Sequence, residues 1–231
     1  FPSHDQEWDS NVHVRKPFVI PSDWKRFRAL DWGYKTNGVC LWLALDNDNT
    51  LIVEHEFSFK NMDAKTVAKR IKEREKRCGL WHKGRSAITG VADTQLWEKR
   101  GDVGLSKAAE MAKVGVHWKP ADKRSRVRNA ERVMERLTDH EGGLSIPGLV
   151  FFKNCRKTVE TVPQIQIDPD DPECPAKGGK DHWYDALSYA CAYASRGGDG
   201  VPAPKYVTDE DDEESSLERA TKRNGRRGGY G

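Results

Sequence analysis

The 231-residue chain has few of the features that would place it quickly. It has five cysteines, Cys40, Cys78, Cys155, Cys174 and Cys191. Their number is odd, their spacing is wide and no Cys-x-x-Cys occurs, so neither a disulfide framework nor a zinc site is indicated. A reducing, intracellular setting fits that usage. No apolar run approaches the ~20 residues of a membrane span. The first residues are polar and irregular, with no signal-peptide pattern. No internal repeat is present. The hydrophobic set is only 36% against 32% charged, which predicts that part of the length is tail rather than core. What remains is still enough for one domain with a sizeable core. The net charge of +3 is too small to argue for nucleic acid. Local clustering says more: ten Lys/Arg against three acids from Lys60 to Arg85, and seven against three from Lys119 to Arg136. A polyanion fits across two such patches, with solvated helix faces as the alternative.

What the chain does have is a dense apolar centre. Val39-Cys40-Leu41-Trp42-Leu43-Ala44-Leu45 is short, branched and aromatic, and predicts a strand covered on both faces. Arg28-Ala29-Leu30-Asp31-Trp32-Gly33-Tyr34 is its expected hairpin partner, with Asn37-Gly38 at the turn. Asp31 then lies near the middle of a buried strand, where an unpaired carboxylate costs several kcal/mol, roughly, unless a cation neutralises it. A strand-end Asp facing water is the alternative.

Around this pair the sequence predicts a mixed sheet flanked by helices, its first three strands antiparallel. Residues 1–25, with Pro2, Pro17 and Pro21, read as a linker or lead-in. Leu51 to Phe57 is a third strand, entered by the turn cluster Asp46-Asn47-Asp48-Asn49. Asp63 caps a helix whose apolar stripe is Ala64, Val67, Ala68 and Ile71, ending near Cys78-Gly79. Ala87 to Ala92 is a fourth strand that stops at Asp93. A short helix around Leu105 to Val114 and a strand at Val116-His117-Trp118 follow. Val127, Ala130, Val133, Met134 and Leu137 mark another helix, ending before Gly142-Gly143. Leu149 to Phe152 is a strand, Asp168 to Gly179 a loop, and a last helix runs from Asp181 to about Ser195. After Gly197-Gly198 the composition turns to charge blocks, Asp209 to Glu214 followed by Lys222, Arg223, Arg226 and Arg227, and predicts a disordered tail over 198–231.

Three acidic points stand out. If the first and fourth strands are neighbours, Asp31 and Asp93 share one end of the sheet. The last helix brings Asp185 to the same end, with Asp181 and His182 beside it. Carboxylates that close repel, and hard cations relieve the repulsion. Two Mg²⁺ or Mn²⁺ ions about 4 Å apart there clamp the attacking and leaving oxygens of a phosphodiester. Each acid has a plainer alternative: Asp93 and Asp181 as helix N-caps, Asp185 as a solvated Asp favoured by the helix dipole, and His182 as a surface His.

Four stretches carry a family likeness: Leu30-Asp31-Trp32-Gly33-Tyr34, Val91-Ala92-Asp93-Thr94, the Asp-Pro-rich loop from Pro169 to Glu173, and Asp181-His182-Trp183-Tyr184-Asp185-Ala186-Leu187-Ser188-Tyr189-Ala190. Over residues 27–195 the chain resembles the C-terminal nuclease domain of the large terminase subunit of tailed bacteriophages. The last stretch is similar to that family's closing Asp-His-x-x-Asp-Ala-Leu-Arg-Tyr-Ala motif, with Ser188 where the family often has Arg. The resemblance implies an RNase H-like α/β fold and a two-metal endonuclease acting on concatemeric double-stranded viral DNA in the host cytoplasm. It makes Asp31, Asp93 and Asp185 the metal ligands, with Asp181 and His182 auxiliary. It also implies the terminase ATPase domain, the small subunit and the portal as partners. No Gly-x-x-x-x-Gly-Lys-Ser/Thr occurs, so the chain looks like the nuclease half, unable to translocate DNA alone. It begins at Phe1, which suits a fragment or processed product, with residues 1–25 from an interdomain linker, 26–197 the nuclease domain and 198–231 the tail.

Lys123, Arg124, Arg126 and Arg128 open a helix and are the candidates for phosphate contacts, which position a backbone without reading sequence. Two other classes stay open. One is another RNase H-like nuclease, a junction resolvase or a hybrid ribonuclease. The other is a non-catalytic module that grips DNA or docks on the portal.

Overall fold

The computed structural model describes residues 9–99, 104–123, 125–138, 148–166, 168–169, 175–176 and 181–196. In chain order the elements are α1 (Ser10–His13), β1 (Val14–Arg15), β2 (Lys25–Asp31), β3 (Gly38–Leu45), β4 (Leu51–Phe59), α2 (Ala64–Arg77), β5 (Trp81–His82), β6 (Arg85–Ser86), β7 (Thr89–Ala92), α3 (Lys107–Ala112), β8 (Lys119–Pro120), α4 (Arg126–Thr138), β9 (Leu149–Phe152), α5 (Arg156–Thr161) and α6 (His182–Ala194). The tail, Arg124, Cys174 and most of the expected loop after Asp168 lie outside the described residues, as does the expected helix stop before Gly142-Gly143.

The central sheet has the order β1-β9-β4-β3-β2-β7-β8. β2, β3 and β4 are antiparallel neighbours, and β7 adds in parallel beside β2. The mixed sheet read from the sequence is therefore the one that forms. Every residue of β3 is buried, which accounts for its unbroken apolar run. The Asp46 carboxylate accepts from the Asp48 and Thr50 amides and closes the β3–β4 turn, where Asn49 adopts φ 66°. Asp63 caps α2 by accepting from the Thr66 amide at 2.7 Å.

Alternation along the strands sorts the core into two layers. Phe27, Ala29, Val39, Leu41 and Val91 pack with Leu187, Ala190 and Cys191 of α6 and with α4. Leu30, Cys40, Trp42 and Ala92 pack on the other side with Val67, Ala68 and Ile71 of α2. Each layer thus covers one sheet face.

Three local features differ from the sequence reading. Val14–Arg15, inside the expected lead-in, pairs in parallel with Phe151–Phe152 and forms an edge of the sheet. Val116 is not in a strand: its amide closes back on the Met111 carbonyl through Gly115, at φ 93°, and the strand comes three residues later as Lys119–Pro120. A small hairpin, β5–β6, precedes β7 and has no apolar pattern to announce it. Among the described residues no helix is long and apolar enough to cross a membrane.

Candidate metal centre

The site is built where β2 and β7 end. Their parallel register puts Leu30 beside Ala92, and the Asp93 amide donates to the Leu30 carbonyl at 3.0 Å. The residue after each of these two is an Asp, so Asp31 and Asp93 stand side by side. Phe27 and Ala29 face α6, and strand alternation sends Asp31 the same way. Val91 does likewise for Asp93. Both carboxylates are 4% exposed. Asp31 closes its strand rather than sitting in its middle, and it is buried there.

Across from them lies α6. His182, Asp185 and Tyr189 are spaced i, i+3 and i+7, one face of a helix. The His182 ring meets Asp31 Oδ2 through Nδ1 at 2.7 Å. The Tyr189 hydroxyl donates to Asp31 Oδ1 at 3.4 Å. His182 is therefore a partner of Asp31, not a free surface His. Asp181 holds the N-cap position without a capping bond from its side chain, and its carbonyl accepts from the Asp185 amide. Asp93 does cap: it accepts from the Gln95 amide at 2.9 Å. The same Oδ1 accepts from Lys123 Nζ, also at 2.9 Å. Capping and site membership coexist in this one residue.

The electrostatics record crowding. Burial raises the Asp31 carboxyl above the usual range, His182 and Lys123 oppose that, and Asp93 adds to it. Burial, then the charges of Asp31 and Asp181, push Asp185 up to about 7. Its side chain is only partly exposed, which corrects the solvated-Asp reading. The hydrogen bond to Asp31 raises His182. Burial, followed by Asp31, Asp185 and Asp93, drives the Tyr189 hydroxyl far upward, so it stays a donor.

Beside these groups lies a cavity of about 300 Å³, lined among others by Lys123, Arg126, Asn129, Asp181, Asp185 and Tyr189. Arg126 Nη1 is buried there without a hydrogen-bond partner among the described residues. Of the basic candidates, Lys123 and Arg126 reach the site. Arg128 does not line the cavity, and Arg124 falls outside the described residues. The sequence reading missed Tyr189, whose i+7 spacing from His182 was its available signal. It also missed that Lys123 pairs with Asp93.

The donors suit a hard divalent cation, since the acids gathered here among the described residues, Asp31, Asp93, Asp181 and Asp185, offer carboxylate oxygens rather than thiolates. Burial and neighbouring carboxylates raise Asp31 and Asp185, and added positive charge would relieve both. Among the described residues no three His, Cys, Asp or Glu side chains already converge on one point. Asp31 and Asp93 are instead each turned to a basic side chain, His182 and Lys123.

No protein-family model and no curated protein matches the sequence. Solved structures do. The nuclease domain of the phage P22 large terminase superposes with a TM-score of 0.61 at 14% identity, over 82% of this chain and 90% of that one. The large terminase of a thermophilic bacteriophage gives 0.63 at 14% identity, over 82% of this chain and 43% of that one. The large terminase nuclease of another thermophilic phage, G20c, with bound cobalt gives 0.56 at 13% identity, over 82% and 96%. The chain spans less than half the length of the second of these proteins. The fold is that of phage large terminase nuclease domains, the RNase H-like α/β fold.

Proposed function

We propose that this chain is a metal-dependent endodeoxyribonuclease that cuts concatemeric double-stranded viral DNA during genome packaging, with little sequence preference. The observation that carries this reading is the carboxylate set at one sheet end, buried Asp31 and Asp93 side by side with half-buried Asp185 across from them. The fold it shares with terminase nucleases supports the same reading, as does G20c, whose nuclease was crystallised with cobalt and with zinc.

In this reading Asp31, Asp93 and Asp185 hold Mg²⁺ or Mn²⁺, as a pair in the sense of two-metal sites, with Asp181 alongside. When bound, such ions supply a nucleophilic hydroxide at neutral pH and charge at the leaving oxygen. The chain's own groups do the rest. His182 and Tyr189 fix both oxygens of Asp31, so its orientation is set before substrate arrives. Lys123 and Arg126 face the cavity and receive a phosphate, Arg126 through a guanidinium nitrogen that has no other partner among the described residues. Helices α4 and α6 line the cavity. The reaction opens the P–O3′ bond, adds water oxygen to phosphorus and leaves the proton on the 3′ oxygen. Residues 26–197 form the catalytic unit in this reading, with 1–25 and 198–231 as lead-in and tail. The terminase ATPase, small subunit and portal are its partners, in the host cytoplasm.

The test is cleavage of supercoiled plasmid with Mg²⁺, Mn²⁺ or EDTA, beside Asp31→Asn and Asp185→Asn. Metal-dependent cutting lost in both variants is the expected result. Cutting that survives both removes the site. A panel of duplex, four-way junction and RNA–DNA hybrid separates this activity from a resolvase or a hybrid ribonuclease.

A further inference from the structure

The first basic cluster, Lys60 to Arg85, has no part in the carboxylate site. Its C-terminal end borders a groove at the opposite end of β7. The groove has a volume of about 610 Å³, and its lining includes His82, Lys83, Arg85, His117, Trp118 and Lys119 but no carboxylate. The β5–β6 hairpin forms one wall, with Lys83 and Gly84 at its tip in left-handed conformations, φ 48° and 80°. The Ser86 amide donates to the Gly115 carbonyl at 2.9 Å and ties this hairpin to the turn that leads into β8. His82, Lys83, Arg85, His117 and Lys119 are all exposed. The acid beneath them, Glu75, is consumed by Arg28. Among the described residues the groove's lining thus presents the exposed cations Lys83 and Arg85 and no carboxylate.

Its position relates it to the carboxylates. Among the described residues β8 is the last strand of the sheet. Lys119 lies in the groove at the start of this strand, and Lys123 lies on Asp93 just past its end. Along β7, Thr89 lines the groove and Asp93 follows the strand's last residue, Ala92; four such steps span about 13 Å, which is roughly four base pairs of duplex rise.

We propose that this groove holds the sugar–phosphate backbone of duplex DNA about four base pairs from the bond that is cut. The proposal rests on the nuclease reading above. Trp118 argues for backbone rather than bases. Its ring carries the Arg28 guanidinium 4.5 Å from the centroid, and its N–H is directed to Met111 Sδ. The groove offers charge and no free stacking platform, which suits a duplex and gives no sequence preference.

The experiment uses the full chain with Asp31→Asn as a non-cutting background and a duplex of about 30 base pairs of arbitrary sequence, long enough to cover both the groove and the site. Affinity is measured against salt for that background, for added Lys83→Ala/Arg85→Ala, and for added Lys65→Ala/Lys69→Ala on the exposed side of α2. The expected result is a log–log slope reduced by about two in the groove variant, with binding about tenfold weaker. The α2 control should leave the slope unchanged. In the cutting protein, Lys83→Ala/Arg85→Ala should raise KM for plasmid and spare kcat. An unchanged slope in the groove variant, or an equal loss in the α2 control, overturns the groove while leaving the nuclease reading intact. A parent chain that neither binds nor cuts duplex overturns both.

Discussion

Arg28 and Asp31 sit three residues apart on one strand, both essentially buried, and point to opposite faces of the sheet. On the α2 side, Arg28 donates to Glu75 at 2.8 Å, to Ser86 Oγ at 2.7 Å and to the His117 carbonyl at 2.8 Å. Trp118 covers its plane, a fit that Gly90 permits, because a Cβ there would lie 2.4 Å from that ring. Trp42 Nε1 donates to the same Glu75 oxygen. Arg28 Nε and Glu75 Oε2 are the atoms of this pair left without a hydrogen bond among the described residues. On the α6 side, Asp31 has His182 against it and faces two further carboxylates. Equal burial thus hides opposite charge balances. On the α2 side one cation meets one carboxylate; on the α6 side basic side chains lie against Asp31 and Asp93, yet the carboxylates still raise one another, and a bound cation would relieve that.

The largest effects come from breaking each side in turn. Asp31→Asn keeps shape and removes charge. It should lower metal-dependent plasmid cleavage by about a thousandfold, some 4 kcal/mol of transition-state stabilisation, while leaving the melting temperature unchanged or higher. A variant that loses activity and stability together would make Asp31 structural, like Arg28. On the other face, Glu75→Leu leaves a buried guanidinium unpaired and should cost about 3–5 kcal/mol by denaturant titration. Arg28→Met/Glu75→Leu should recover most of that loss, because no isolated charge remains. If the double variant is as unstable as the single one, the pair is held for more than its charge.

Adding the cation should sharpen the contrast by a smaller amount. Mn²⁺ at about a hundred times its dissociation constant stabilises a site that exists only in the folded state by about 2.7 kcal/mol. The rise in melting temperature should appear in the wild type and in Glu75→Leu, and vanish in Asp31→Asn. An equal rise in Asp31→Asn would place the ion elsewhere.

The sequence made some of this legible and hid the rest for identifiable reasons. Asp93 was visible because it ends an apolar strand, and Asp31 because it is an acid in a strand expected to be buried, although the expected position was mid-strand and the structure puts it at the end. Asp185 and His182 were visible through the closing helix motif. Lys123 on Asp93 was not, since that contact depends on β8 lying beside β7. β8 is the two-residue stretch Lys119–Pro120, too short to show a period. The β5–β6 hairpin and β1 escaped for the same reason, two residues per strand. Tyr189 was hidden because α6 is buried almost all round, so no polar stripe marked its working face.

The smallest expected effect reads how strongly burial, with the cations Arg74 and Arg77, resists a further charge on the α2 face. His55 stands on β4 with its ring 5.5 Å from that of Trp42. Burial, then the charges of Arg74 and Arg77, push it down to about 4. The unfolded chain takes up this proton near the ordinary value of about 6.5, whereas the folded chain resists it until about pH 4. Between those values the unfolded state binds more protons, so stability must fall as pH falls through that window. The half-buried ring keeps some solvent contact, which holds the effect to about 1–2 kcal/mol. Denaturant titrations from pH 7 to pH 4 should show this loss in the wild type and a flatter profile in His55→Gln. An unchanged slope in His55→Gln would mean that the acid sensitivity comes from other groups.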